Sequence, residues 1–104
     1  CNAVLVEHVV AFNYDAAPDR YRIVAETLGI DSRGLSHRQV RERLVQHLID
    51  LKQRIGFRET LSLHGVNLSD IPFLSQHAMQ DPCILTNPRS STQRDVEVVY
   101  AEAL

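Results

Sequence analysis

The chain has 104 residues, of which 44% are hydrophobic and 23% charged; that suits one ordinary folded domain and leaves no room for a second. Eleven basic against thirteen acidic residues give a formal charge of -2, which lacks the basic footprint of a nucleic-acid binder, so no nucleic-acid partner is expected. Two cysteines, Cys1 and Cys83, are too few for a disulfide framework and point to a reducing, cytoplasmic setting. No apolar run approaches the roughly 20 residues that cross a bilayer, and residues 1 to 10 carry Glu7 and His8 inside what would be a signal sequence, so no membrane association is expected.

The first predicted element runs from Ala3 to Phe12. It is rich in β-branched residues, which favour strands, but its near-continuous apolarity over that length reads as a helix buried among other helices. A chain that starts with Cys and is already in this pattern at its third residue is expected to be a portion of something longer. Pro18 suits the first turn of a second helix, with Tyr21, Val24, Ala25 and Leu28 on its apolar stripe and Gly29 as its left-handed stop.

Ser36 and Gln39 form a capping box at the start of a third helix about 30 Å long. Val40, Leu44, Leu48, Leu51 and Ile55 are its inner face, while Arg38, Arg41, Arg43, Lys52 and Arg54, interleaved with Glu42 and Asp50, make a solvated one. A short helical turn is expected over residues 59 to 63, closed by His64 and Gly65. Ser69 is read as the cap of a fourth helix with Pro72 in its first turns and Leu74, His77 and Ala78 on its inner side. Residues 81 to 91 read as an ordered loop that shelters Ile84 and Leu85, and Thr92 with Asp95 opens a fifth helix with Val96, Val99, Tyr100 and Ala103 inward. The expectation is an all-α bundle of about five helices.

Few constellations carry chemistry. His8, His37, His47, His64 and His77 never fall three or four residues apart, so none forms a helical metal pair, and all five are read as structural, His8 standing in an apolar segment where it must be hydrogen-bonded or face a cleft. Cys83 has only His77 and Arg89 nearby in sequence as cations and is read as a small hydrophobe, not a nucleophile. Asn87, Pro88 and Arg89 form a polar corner in which Arg89 is expected to pin its own loop. Glycines at 29, 34, 56 and 65 cannot write either nucleotide-binding glycine motif.

Three blocks are more telling together. The opening Cys-Asn-Ala-Val-Leu-Val-Glu-His-Val-Val-Ala-Phe-Asn, the Arg-Tyr-Arg-Ile-Val-Ala-Glu-Thr-Leu-Gly of residues 20 to 29, and the Asp-Pro-Cys-Ile-Leu-Thr-Asn-Pro-Arg of residues 81 to 89 resemble the iron-containing (group III) alcohol dehydrogenases, in that family's order. Such enzymes share the architecture of dehydroquinate synthase: an N-terminal α/β domain binds NAD or NADP, and a C-terminal helical domain supplies the metal site. The resemblance implies that residues 1–104 are the later portion of that helical domain, with the nucleotide-binding domain absent from this chain.

In the family an Asp and three His hold Fe or Zn, the last His in a Pro-His-Gly segment just ahead of the residues matching Cys1 and Asn2. The resemblance therefore implies no metal ligand, no catalytic residue and no cofactor-binding residue here, His8 matching a helix histidine downstream of the ligand. It implies that Cys83, Thr86 and Asn87 line the substrate cleft, while the parent enzyme's metal polarises the alcohol and hydride passes to the nicotinamide. The implied partner is the N-terminal part of the same enzyme. The rival reading is a stand-alone helical interaction module without catalysis, and under either reading a homodimer formed through apolar surface along the first helix is expected.

Overall fold

Five helices run in chain order through the computed structural model, which describes residues 2–104: α1 (Asn2–Asn13), α2 (Pro18–Thr27), α3 (His37–Arg54), α4 (Ile71–Met79) and α5 (Gln93–Glu102). Short 3-10 turns at Tyr14–Ala16, Ser62–His64, Leu68–Asp70 and Pro82–Thr86 join them, and no strand occurs among the described residues. Cys1, one of the two cysteines weighed above, lies outside the described residues.

The helix starts follow the capping chemistry. Ser36 Oγ accepts the Gln39 N–H at 3.2 Å while the Gln39 side chain accepts the Ser36 N–H at 2.9 Å, closing the expected box on α3. Thr92 and Asp95 do the same for α5, and the Thr92 N–H holds the Asp95 carboxyl below the usual carboxylate range. Gly29 ends the α2 region at φ +91°, a conformation costly to any residue with a Cβ. At α4 the cap differs from the expected Ser69: Asn67 and Asp70 pair across a 3-10 turn, with the Asp70 carboxylate taking the Asn67 N–H at 2.8 Å, because Asn67 and not Ser69 has extended backbone with a carboxylate three residues on. The helical turn read at residues 59 to 63 is also later and shorter, at Ser62–His64, where Gly65 stops it at φ +83°.

The main helix contacts run α2, α3, α1, α5, α4, so α1 sits in the middle of a row. The molecule measures 43 × 32 × 19 Å, and 19 Å is only about two helix diameters. Such a slab has little interior. One cluster gathers Tyr14, Ala25, Val40 and Leu44, with Tyr21 stacked on Tyr14 at 5.6 Å; a second gathers Val4, Leu61 and Ala103.

The slab explains where the expected stripes fall short. α3 is about 27 Å long and outruns its neighbours, so Val40 and Leu44 are buried but Leu51 and Ile55 at its far end are 41% and 69% exposed. Val24 and Leu28 lie open on α2, and Val9 is exposed on the central α1, which is thus less fully buried than its apolarity suggested. On α4 the inner residues are Ile71 and Ser75, half-joined by Leu74 and Ala78, whereas His77 is exposed against the ring of Phe73 at 4.4 Å.

Lys52 departs from the solvated face assigned to it. Its Nζ lies 3.0 and 2.9 Å from the two Glu7 carboxylate oxygens and 3.4 Å from the Val4 carbonyl, and both side chains are only 14% exposed. The butyl stem reaches over α1, where a paired ammonium tolerates burial and an unpaired one would not.

Truncation separates core from slab edge. Leu44→Ala is expected to lower unfolding free energy by about 2–5 kcal/mol in a urea titration, and Ile55→Ala by less than about 1 kcal/mol; equal losses would refute this placement of the core.

Candidate functional site

The last carbonyls of a helix have no partners within it, and α1 ends without a basic residue in its own last turn. Distant side chains supply the donors. Arg41 of α3 donates from Nε to the Ala11 carbonyl at 3.0 Å, and Arg89 donates from Nη1 to the Phe12 carbonyl at 2.9 Å, its guanidinium lying 4.0 Å from the centre of the Phe12 ring. Arg89 therefore pins its loop as expected, whereas Arg41, read as solvated, is turned inward by these orphan carbonyls.

Asn13, only 3% exposed, completes the arrangement. Its Nδ2 donates to Asn87 Oδ1 at 2.8 Å and its Oδ1 accepts from Asn87 Nδ2 at 2.8 Å. Asn87 Nδ2 donates its second hydrogen to the Arg89 carbonyl at 2.7 Å. Both amide hydrogens of Asn87 are thus used, and the corner at residues 87 to 89 is clasped onto the end of α1.

Beside the clasp, a cavity of about 170 Å³ opens between α1 and α5, walled mainly by Leu5, Val9, Phe12, Ile84, Val96 and Val99, with Asn13, Asn87 and Asp95 among its polar members. Tyr100 also lines it, and burial pushes its phenol above the ordinary value. Ser91 contributes a hydroxyl that is buried without a partner.

The three residues assigned to the substrate cleft do not share one cavity. Asn87 lines the chamber just described, Thr86 borders a separate groove with Ala17, Tyr21 and Val24, and Cys83 is exposed. Successive residues of a 3-10 turn differ by about 120° in direction. Ile84 accordingly reaches the chamber while Leu85 is 86% exposed, against the expectation that the loop shelters both.

The electrostatics around Cys83 suit a wall and not a nucleophile. Asp81 Oδ1 accepts the Cys83 N–H at 2.8 Å, which holds the Asp81 carboxyl below the usual range. Its hydrogen bond and negative charge push the Cys83 thiol up, so the thiolate is scarce at neutral pH.

The histidines stay apart. His8 stands half-exposed in a groove near Arg41 and Arg89, 3.7 Å from Glu7 and 3.9 Å from Glu102, so it faces a cleft as one of its two readings required. His37 meets the Tyr14 hydroxyl at 3.3 Å, and His64 pairs with Glu59 at 2.6 Å. Among the described residues no group of three or more His, Cys, Asp or Glu side chains could hold a metal ion. The donor set present here does not fit an iron or zinc centre, and no chemical step is assigned to one. Sequence reasoning missed Asn13, which lies one residue past the first predicted element; an amide closing a helix that lacks a glycine stop was the available signal.

A row of five helices clasped at one end defines an all-α helical fold. With a TM-score of 0.93 over 99% of its length and 29% identity, it superposes on the structure described as 1,3-propanediol oxidoreductase, covering 27% of that chain. The chain belongs to the iron-containing alcohol dehydrogenases: the profile "Fe-containing alcohol dehydrogenase family, C-terminal" matches residues 1–104, bearing out the resemblance in its motifs and the fold expected from it. It is 34% identical over 102 residues to lactaldehyde reductase of Escherichia coli (strain K12), covering 98% of this chain and 27% of that protein. It is 35% identical over 104 residues to NAD-dependent methanol dehydrogenase of Bacillus methanolicus, covering 100% of this chain and 27% of that one. The chain thus spans about a quarter, 27%, of the length of these relatives.

Replacing Asp81 by Asn keeps an acceptor for the Cys83 N–H and removes the charge that raises the thiol. Alkylation of Cys83 by iodoacetamide at pH 8 is expected to quicken about two- to five-fold, because a lower thiol pKa raises the thiolate fraction at fixed pH; an unchanged or slower rate would contradict the assigned cause.

Proposed function

We propose that this chain is the C-terminal portion of the helical domain of a metal-dependent, NAD(P)-linked alcohol dehydrogenase. Its part is to wall the substrate cleft and support a metal site whose ligands lie in the rest of the enzyme, the parent interconverting alcohols with aldehydes or ketones. The observation that carries this reading is the match of residues 1–104 to the C-terminal family profile, together with a span of 27% of the relatives. Two features of the molecule support it. The histidines among the described residues stand apart, in keeping with a reading in which the metal ligands belong to the rest of the enzyme. Leu63, Leu68, Phe73 and Leu85 are 69%, 69%, 63% and 86% exposed, more apolar surface than a slab of this size hides, and it suits packing against the remaining, NAD- or NADP-binding part.

In this reading Cys83, Thr86 and Asn87 border the cleft as its wall. Exposure of Cys83 suits contact with a ligand or with the other domain, and its raised thiol suits a residue that shapes the pocket without reacting. An exposed free thiol also favours a reducing, cytoplasmic setting. Among the described residues no helix is long and apolar enough to cross a membrane. The same exposed leucines support a second reading, in which the chain is a helical interaction module that covers them with a second copy or another protein and performs no chemistry.

Metal content and NAD(P)-coupled oxidation of methanol and 1,3-propanediol, measured on this chain and on the full-length reading frame, separate the two. Activity with about one bound metal per subunit is expected only in the longer protein. Stoichiometric metal in the 104-residue chain would overturn the assignment of ligands, and an inactive, metal-free longer protein would favour the interaction module.

A further inference from the structure

We propose that Asn13 and Asn87 are a positioning pair for substrate binding: their reciprocal amide bonds set where the Pro82–Thr86 turn stands against α1, and with it the wall formed by Cys83 and Thr86. The inference rests on the cleft reading above and assigns to it a residue, Asn13, that lies far from Cys83 in sequence.

The turn has little apolar anchorage of its own. Ile84 reaches the chamber, but Leu85 is 86% exposed and Cys83 is exposed. What holds it is a closed polar ring. Asn13 and Asn87 exchange two 2.8 Å bonds, Asn87 donates to the Arg89 carbonyl at 2.7 Å, Arg89 donates to the Phe12 carbonyl at 2.9 Å, and Phe12 adjoins Asn13. Pro88, at the middle of the corner, removes one backbone freedom. Asn13 is 3% exposed and the paired amides match donor to acceptor in both directions, so a mismatch at this pair is met by moving the more exposed partner, the loop that carries Asn87. Neither amide is placed to react; the pair acts through the turn it holds.

Asn87→Asp is the discriminating variant. It preserves shape and still accepts from Asn13 Nδ2, but it loses both donors and sets a carboxylate against Asn13 Oδ1 and the Arg89 carbonyl. Protonation restores one donor. The charged groups around the pair are Arg89 on the same corner, Arg41 of α3 at the Ala11 carbonyl and Asp95 on α5, with the neutral Tyr100 phenol also on the chamber wall, and the lowered Asp95 carboxyl stays ionised across the range used.

In the full-length enzyme at pH 8 the variant is expected to raise KM for 1,3-propanediol roughly ten-fold with kcat within about two-fold. Relative to wild type at the same pH, KM should fall back as the pH is lowered to about 5.5. Asn87→Leu, which cannot regain a donor, should keep a raised KM at both pH values. Amide hydrogen exchange over residues 83 to 86 gives a readout independent of activity, and should quicken roughly ten-fold in Asn87→Asp at pH 8. Unchanged KM with unchanged exchange would overturn the proposal, as would a raised KM in Asn87→Asp that ignores pH. Should the wild-type enzyme oxidise no alcohol, the dehydrogenase reading fails, and the exchange rates still decide whether the pair holds the turn.

Discussion

The carbonyl end of α1 is the point on which the rest of the structure depends. A helix that finishes without a glycine stop or a cation of its own leaves oxygen acceptors exposed to a low-dielectric interior. Here that demand is met by Arg41 from α3 and by Arg89 from the loop that leads into α5, while Asn13 pairs with Asn87. Two segments far apart in sequence, α3 and the corner at residues 87 to 89, are therefore registered against one helix end. Few apolar contacts would do this as specifically, because a guanidinium aimed at a carbonyl or an amide pair with both partners matched tolerates little displacement.

Geometry at the opposite end of α1 has a different character. Lys52 reaches from α3 to Glu7 and the Val4 carbonyl, with both charges largely withdrawn from water. Such a pair contributes little net stability compared with apolar side chains of similar size, yet losing one partner strands the other. α1 is thus held to α3 by Lys52 in its first half and by Arg41 near its finish, where the apolar cluster of Val40 and Leu44 with Tyr14 also lies. In a slab 19 Å thick, where full burial is scarce, directional polar contacts fix what packing alone leaves loose.

Sequence reading reached the helices because their start and stop signals are local. Ser36 with Gln39, Thr92 with Asp95, Pro18 and Gly29 each act within a few residues, and each is found at the position its chemistry requires. The failures share a cause as well. Periodicity shows which face of a helix is apolar, but not whether a neighbour is long enough to cover it, so Leu51 and Ile55 were placed inside and lie outside. Lys52 and Arg41 look like members of a charged face until α1 supplies a carboxylate and a carbonyl. Asn13 and Asn87 become a pair only when 74 residues of chain bring them together, a relation no local rule contains. The family motifs reached further than the physical patterns, since the block at residues 81 to 89 carries both Cys83 and the clasp residues.

The same division between local and distant contacts governs the Pro82–Thr86 turn. Cys83 sits at a turn where Asp81 raises its thiol, which lowers the thiolate fraction of an exposed sulfur while leaving its bulk and polarisability at the surface. Its position is set by contacts outside the turn, because a five-residue 3-10 segment bearing an exposed leucine cannot locate itself by burial. The Asn13 amide, buried and bonded to Asn87 through both its nitrogen and its oxygen, ties the corner that follows the turn to the end of α1. In a row of helices this thin, the polar joints at the end of α1, and not the two small cores, fix where the corner at residues 87 to 89 stands.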